Sequence, residues 1–216
     1  EPVFKAGLFD LDGVIVDTEP QYTEFWGAMG RIYHPEIPDF AYRIKGQTLT
    51  QITGRWIEPQ YVPELVRKLD EFESNMVFNF IPGAWDYLVK LKKAGVKTAL
   101  VTSSNAVKME NVWKARPALR ELFDEVFTSE HFKASKPDPD CYLLGSRVFG
   151  FRPDECVVFE DALTGLQAGM SSGIYTIGLA TTRTKEEIAD KCHHVIDNFI
   201  GFDYDKCQQL INSRNL

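Results

Sequence analysis

Short apolar segments alternate with amphipathic segments along most of the chain. The apolar segments span residues 6–9, 97–101, 125–128, 156–159, 174–177 and 194–196. Most stretches between them carry apolar residues at helical spacing, for example Trp85, Leu88 and Leu91. Strands that alternate with short amphipathic helices are typical of βαβ units. The pattern therefore predicts an α/β fold built on a parallel sheet.

The region between the first and second predicted strands has a different pattern. Residues 18–78 contain three apolar stripes at helical spacing and no strand signal. The stripes are Tyr22, Phe25, Trp26 and Met29; Leu49, Ile52 and Trp56; and Leu65, Leu69, Phe72 and Met76. Thr48 and Gln51 form a capping-box signature before the second stripe, and Pro63 can occupy the first turn of the third helix. The sequence therefore predicts a small α-helical module inserted into the sheet.

The composition is that of an ordinary soluble globular protein, with 44% hydrophobic and 25% charged residues among 216. No apolar run reaches the roughly 18 residues of a membrane span, and the N-terminus lacks a signal-peptide pattern. The four cysteines are far apart and predict neither a zinc site nor a disulfide framework. We therefore expect a cytoplasmic protein with no membrane partner.

The formal net charge of −7 argues against a nucleic-acid partner, which would require a basic face. An anionic substrate requires a cation and a few placed donors that reverse the local field. Any phosphate site must therefore contain such groups.

Asp10 and Asp12 follow the first apolar segment directly. Asp12-Gly13 between two apolar runs is a strong signal for a tight β-hairpin. Carboxylates at the end of a buried parallel strand are also typical of a ligand site, because open α/β sheets bind ligands at that edge. This stretch alone supports a turn and a site about equally.

Polar residues follow the other predicted strands as well. Thr102 follows the second, Lys136 comes after the third, and Glu160 with Asp161 follows the fourth. The ends of parallel strands lie on one edge, so these side chains are expected to converge there. Clustered carboxylates repel unless a cation holds them, and hard oxygen donors suit Mg²⁺. Lys136 and Thr102 supply the positive charge and the donors that an anionic substrate needs.

Four segments in this order resemble the motifs of the haloacid dehalogenase superfamily, in its beta-phosphoglucomutase-like and phosphatase branch. They are DLDG at 10–13, LVTSS with Thr102, SKPDPD with Lys136, and VVFEDALTGLQAG with Glu160 and Asp161. The resemblance spans about residues 4–179. It implies a Rossmann-like, three-layer α/β/α catalytic core over residues 1–17 and 80–216, with a helical cap over 18–79.

The resemblance also implies a role for each motif residue. Asp10 would be the nucleophile that forms an aspartyl-phosphate, and Asp12 would be the general acid and base. Thr102 would hydrogen-bond a phosphoryl oxygen, and Lys136 would neutralise charge on the nucleophile and the phosphoryl group. The implied Mg²⁺ ligands are Asp10, the carbonyl of Asp12, Asp161 and Glu160, the last directly or through water. The implied substrate-binding residues are Ser103, Asn105, Lys45 and Gly46.

These residues favour a Mg²⁺-dependent phosphatase of small phosphorylated metabolites, such as sugar phosphates. A beta-phosphoglucomutase-type mutase is the alternative, because Lys45-Gly46 resembles part of the mutase substrate loop. Against it, Leu49 stands where the mutase has an arginine, and Tyr22 stands where it has a histidine. A non-catalytic phospho-receiver domain also gathers aspartates, a threonine and a lysine around Mg²⁺. Such a domain is expected to be about 120 residues long, without a helical insertion and with its aspartate on an inner strand.

Overall fold

The computed structural model describes residues 2–214. Its strands form one parallel sheet in the order β3-β2-β1-β4-β5-β6. The strands are β1 (Ala6–Phe9), β2 (Lys97–Val101), β3 (Glu125–Phe127), β4 (Cys156–Glu160), β5 (Tyr175–Leu179) and β6 (His194–Ile196). Leu8 of the central β1 pairs with Ala99 on one side and Val158 on the other. All six predicted strands are confirmed, and the sheet is parallel as expected.

Eleven α-helices lie in the described part of the chain. They are α1 (Glu19–Tyr33), α2 (Phe40–Arg43), α3 (Leu49–Trp56), α4 (Val62–Ser74), α5 (Ala84–Lys93), α6 (Ala106–Ala115), α7 (Pro117–Arg120), α8 (Asp140–Phe149), α9 (Leu163–Ser172), α10 (Lys185–Ile188) and α11 (Tyr204–Ser213). Short 3₁₀ helices span Pro59–Tyr61, Ser129–His131 and Pro153–Glu155. Within residues 2–214, no helix has both the length and the apolar character needed to cross a bilayer.

The sheet is buried on both faces, which explains why its strands are apolar runs and not alternating ones. One face packs against α5, α6 and α11, and there the Phe9 and Phe159 rings stack with centroids 4.5 Å apart. The other face packs against α8 and α9, with Leu8 and Tyr142 in its core. The three-layer α/β/α architecture is therefore confirmed.

Helices α1–α4 have an apolar cluster of their own, which includes Phe25, Phe40 and Leu65. We call this unit the cap. The two segments that join it to the sheet run side by side, since the amide of Asp17 donates to Asn79 O at 2.7 Å. The predicted boundaries at 17/18 and 79/80 stay a prediction, which this pairing supports.

The sequence signals for helix ends in the cap agree with the structure to within one helical turn. Thr48 and Gln51 form the predicted capping box on α3. Pro63 lies in the first turn of α4, but the helix ends at Ser74, so Met76 lies beyond it and packs into the sheet core. In the core, α8 begins at Asp140, whose amide donates to Asp138 Oδ1 at 2.9 Å.

The hairpin expected at Asp12-Gly13 is not formed. The chain closes a compact turn instead, in which Ile15 N donates to Leu11 O and Gly13 N donates to Val16 O, both at 2.8 Å. The apolar run 14–16 is fully buried in the sheet core, and Val16 forms an antiparallel bridge with Phe80 instead of with the end of β1. Gly13 adopts a φ of +77°, which explains the glycine.

Candidate active site

The carboxyl edge of the sheet collects the side chains that the sequence placed at strand ends. Asp10 follows β1, and its amide still donates to Phe159 O of β4 at 3.1 Å. Thr102 follows β2 and donates in the same way to Phe127 O at 3.0 Å. These residues, with Lys136, line one cavity of about 610 Å³ between the sheet edge and the cap.

Lys136 joins three strand ends at this edge through its hydrogen bonds. Its ammonium donates to Asp10 Oδ1 at 3.2 Å, to Val101 O at 3.1 Å and to Glu160 Oε1 at 2.6 Å. Tyr142 OH donates to the same Glu160 oxygen at 2.5 Å. The lysine side chain is only 3% exposed, so its charge is balanced by these partners and not by water.

Burial and neighbouring charges shift the pKa values at this edge. Burial alone would lower the pKa of Lys136, but the Asp10 and Glu160 carboxylates outweigh it and raise that pKa. Burial, together with the Asp10 charge, raises the pKa of Glu160 to about 7, against the opposing effect of Lys136. Lys136 therefore stays charged at neutral pH.

Asp161 is the least satisfied carboxylate at the edge. Thr182 donates to its Oδ2 at 2.6 Å, whereas its buried Oδ1 has no hydrogen-bond partner among residues 2–214. Burial and the Asp10 charge raise the pKa of Asp161 well above its usual value. A Cβ on Gly13 would lie 2.1 Å from Asp161 Oδ2, so the glycine permits this close approach.

These carboxylates fit a divalent cation. One oxygen from each of Asp10, Glu160 and Asp161 lies within 4.8 Å of the others. Mg²⁺ prefers a set of ligands made of oxygen atoms alone. Asp161 Oδ1, which has no hydrogen-bond partner among residues 2–214, is available as one of these ligands. Glu160 already accepts from Lys136 and Tyr142, so its role as a direct ligand stays a prediction.

Asp12 points into the cavity between three donors. Thr18 Oγ1 donates to its Oδ1 at 2.5 Å, and Ser104 Oγ lies 3.4 Å from its Oδ2. Lys108 forms an ion pair with the same Oδ2. The sequence singled out Asp12 but neither Thr18 nor Lys108 as its partners.

The loop after β2 has a structural role in addition to the predicted one. Thr102 Oγ1 accepts the Ser104 amide at 3.0 Å, and Asn105 Oδ1 caps α6 by accepting the Lys108 amide at 2.9 Å. Thr102, Ser103 and Asn105 all line the cavity. Their proposed contacts with substrate stay predictions.

The cap wall of the cavity carries Lys45 and Gly46, and their contact with substrate stays a prediction. Lys45 Nζ is held by Glu19 Oε2 at 2.8 Å and Thr23 Oγ1 at 3.0 Å. Gly46 O accepts from Thr164 Oγ1 of α9 at 3.2 Å, which ties the cap to the core.

Two acidic residues on this wall, Glu19 and Glu73, were missed by the sequence reasoning. Burial raises the pKa of both carboxyl groups. Their only signal in the sequence is an acidic residue within a helical segment, and most such residues are solvated. Lys108 gave no stronger signal, since it is one lysine on an amphipathic helix.

The chain matches the family model described as haloacid dehalogenase-like hydrolase over residues 8–179. It is 34% identical over 183 residues to hexitol phosphatase A of Escherichia coli, an alignment that covers 81% of this chain and 82% of that protein. It is 32% identical over 181 residues to fructose-1-phosphate phosphatase YqaB of Escherichia coli, covering 78% and 93%.

A solved structure also shares the fold. The chain superposes on a beta-phosphoglucomutase from Clostridium difficile with a TM-score of 0.78, 21% identity and coverage of 99% of each chain. At this identity the likeness concerns the fold alone.

Proposed function

The chain belongs to the haloacid dehalogenase-like hydrolases and is an enzyme of their phosphatase type; we propose that it is a Mg²⁺-dependent phosphatase of small phosphorylated metabolites, such as sugar phosphates. The observation that carries the proposal is the convergence of Asp10, Asp12, Lys136 and Asp161 on one cavity. Each supplies a group that phosphate ester hydrolysis requires.

In the first half-reaction an Asp10 carboxylate oxygen attacks phosphorus, and the bond from phosphorus to the ester oxygen breaks. Asp12 gives its proton to that ester oxygen, so the leaving group departs as an alcohol. Lys136, held 3.2 Å from Asp10 Oδ1, orients the nucleophile and offsets the negative charge that gathers around it. The product is an aspartyl-phosphate on Asp10.

In the second half-reaction water attacks the same phosphorus, and the bond to Asp10 breaks. Asp12, now a carboxylate, takes a proton from the water, which restores both aspartates to their starting state. Thr102 and the loop amides after it lie at the sheet edge, where they can donate to phosphoryl oxygens. Inorganic phosphate then leaves through the cavity.

The proposed Mg²⁺ would be held by Asp10, Asp161 and the carbonyl of Asp12, with Glu160 as a further candidate. When bound, it neutralises charge on the phosphoryl oxygens and fixes the line of attack. The cavity is acidic without it, which is why an anionic substrate requires it.

The cap wall favours a leaving group without a second negative charge. Lys45 is already paired with Glu19, and Lys108 with Asp12, so neither ammonium is free to hold a second phosphate. Glu19 and Glu73 are strong acceptors for hydroxyl groups. The relatives named hexitol phosphatase A and fructose-1-phosphate phosphatase support the same substrate class.

The test is phosphate release from a panel of sugar and polyol monophosphates and p-nitrophenyl phosphate, with Mg²⁺ and with chelator. Multiple turnover that chelator abolishes is expected, together with a loss on the order of 10⁴-fold or more in Asp10→Asn. Asp197→Asn, on the loop after β6, is the control.

Two other outcomes would contradict the proposal. Glucose 6-phosphate formed from beta-glucose 1-phosphate and the 1,6-bisphosphate, without phosphate release, would identify a mutase. Stoichiometric phosphorylation of Asp10 without turnover would identify a phospho-receiver domain.

A further inference from the structure

Lys108 occupies a place in the site that the mechanism above does not use. It is the third residue of α6, and its side chain is 5% exposed although it carries a full charge. On the core side its ammonium pairs with Asp12 Oδ2. Thr18 occupies the other Asp12 oxygen, so the carboxylate is fixed from both sides.

The remaining surroundings of this ammonium come from the cap. Its Nζ lies 4.5 Å from the centroid of the Tyr22 ring, on α1. Tyr22 OH donates to Glu73 Oε2, on α4, at 2.5 Å. Glu73 and Lys108 line the same cavity, and the Lys108 charge acts against the rise that burial causes in the pKa of the Glu73 carboxyl.

Lys108 therefore lies between acidic groups on two different units of the molecule. The attraction between two charges is weak in water, and it strengthens when the pair is shielded from water. The Tyr22 ring supplies this shielding and adds a cation–π contact. If the cap moved away, the ammonium would be hydrated, and its hold on Asp12 would weaken.

We propose that Lys108 is a positioning residue that fixes the Asp12 carboxylate for proton transfer, and that it does so fully only when Tyr22 and Glu73 of the cap enclose it. The inference rests on the proposed phosphatase function.

A direct role in substrate binding is less compatible with the geometry. The ammonium already contacts a carboxylate and a ring, and its side chain is almost wholly enclosed. Such a role would change KM, whereas a positioning role changes the proton-transfer step. The two roles can therefore be separated by kinetics.

The test uses phosphate monoesters whose leaving groups range from nitrophenol to simple alcohols. A nitrophenolate leaves without a proton, but an alkoxide does not, so misplacing the acid steepens the dependence of kcat/KM on leaving-group pKa. For Lys108→Met we expect a loss of about 10²-fold on alkyl phosphates and less than about fivefold on p-nitrophenyl phosphate. Lys108→Arg should restore most of the loss.

Tyr22→Leu tests the contribution of the cap. It should steepen the dependence in the same direction as Lys108→Met, but less. Lys114→Met, an exposed lysine on the same helix, is the matched control and should keep the wild-type slope. Circular dichroism spectra confirm that each variant is folded.

Each result decides a separate point. An equal loss on all esters, or a change in KM alone, in Lys108→Met would overturn the positioning role. A wild-type slope in Tyr22→Leu would overturn the coupling to the cap. If the wild type itself released no phosphate from any ester, the proposed function would fail and the role of Lys108 with it.

Discussion

At the floor of the site, Lys136 is enclosed by partners from the ends of three different strands. At the cap wall, Lys45 pairs with Glu19 and Thr23, both on α1 of the cap itself. The floor lysine is 3% exposed and the wall lysine 12%. The contacts of the floor lysine thus join the sheet to the chemistry, whereas the contacts of the wall lysine stay within the cap.

The floor and the wall also differ in whether their polar groups have a hydrogen-bond or charge partner. The floor holds Asp161 Oδ1 without a partner, as expected of a site completed by a cation. The wall lysine is neutralised by a neighbouring carboxylate, as expected of a surface that selects among neutral groups. We therefore assign phosphoryl transfer to the floor and selection of the leaving group to the wall.

The largest effect should come from removing the two lysines in turn. Lys136→Met leaves the buried Glu160 and the partly buried Asp10 without their counter-charge and should lower the free energy of unfolding by about 3–5 kcal/mol. Lys45→Met should cost less, because the side chains of Lys45 and Glu19 are 12% and 21% exposed and water can replace part of the lost contact. Chemical denaturation at pH 7.5 measures both, and equal losses would remove the distinction between floor and wall.

The second largest effect on stability is expected from Mg²⁺ binding at the floor of the site. At a Mg²⁺ concentration about 100 times its dissociation constant, the free energy of unfolding should rise by about 2.7 kcal/mol. Asp161→Asn should lose most of this gain, and Glu19→Gln in the cap should keep it. Thermal unfolding with and without Mg²⁺ measures the shift. A full gain in Asp161→Asn would place the cation elsewhere.

The raised pKa of Glu160 predicts a pH dependence in the presence of chelator. The pKa rises from 4.5 to about 7 on folding because of burial and the Asp10 charge. Between these values the folded state binds more protons than the unfolded chain, so stability falls as the pH rises through that window. We expect a loss on the order of 3 kcal/mol, since one pKa unit corresponds to about 1.4 kcal/mol.

Glu160→Gln isolates this contribution, because glutamine cannot titrate. The variant should show a flatter stability profile from pH 5 to about 7.5, and Glu121→Gln, at an exposed position, should match the wild type. An unchanged profile in Glu160→Gln would assign the pH dependence to another group.

The smallest effect is expected from the wall. Glu19→Gln removes a negative charge from the cavity and frees Lys45, so a second phosphate on the substrate should be better tolerated. The ratio of kcat/KM for fructose 1,6-bisphosphate over fructose 1-phosphate should rise about tenfold, the size expected for one partly screened charge. Glu24→Gln, exposed on the same helix, is the control. An unchanged ratio would show that Glu19 does not select the leaving group.

The sequence by itself determined the parallel sheet, the helical insertion and the residues at the strand ends. These features follow from local periodicity and from the rule that parallel strands present their ends on one edge. Asp10, Lys136 and Asp161 could therefore be placed together without any coordinates. The same reasoning predicted a hairpin at Asp12-Gly13, because the turn signal does not reveal that the run 14–16 is buried in the core.

Only the tertiary structure decided which side chains pair across the site. Lys108 meets Asp12 and Tyr22 because α6 of the core packs under α1 and α4 of the cap, and no periodicity encodes that contact. Glu19 and Glu73 become wall residues for the same reason. Their roles depend on burial and on charges distant in the sequence, which are set only when the units have packed together.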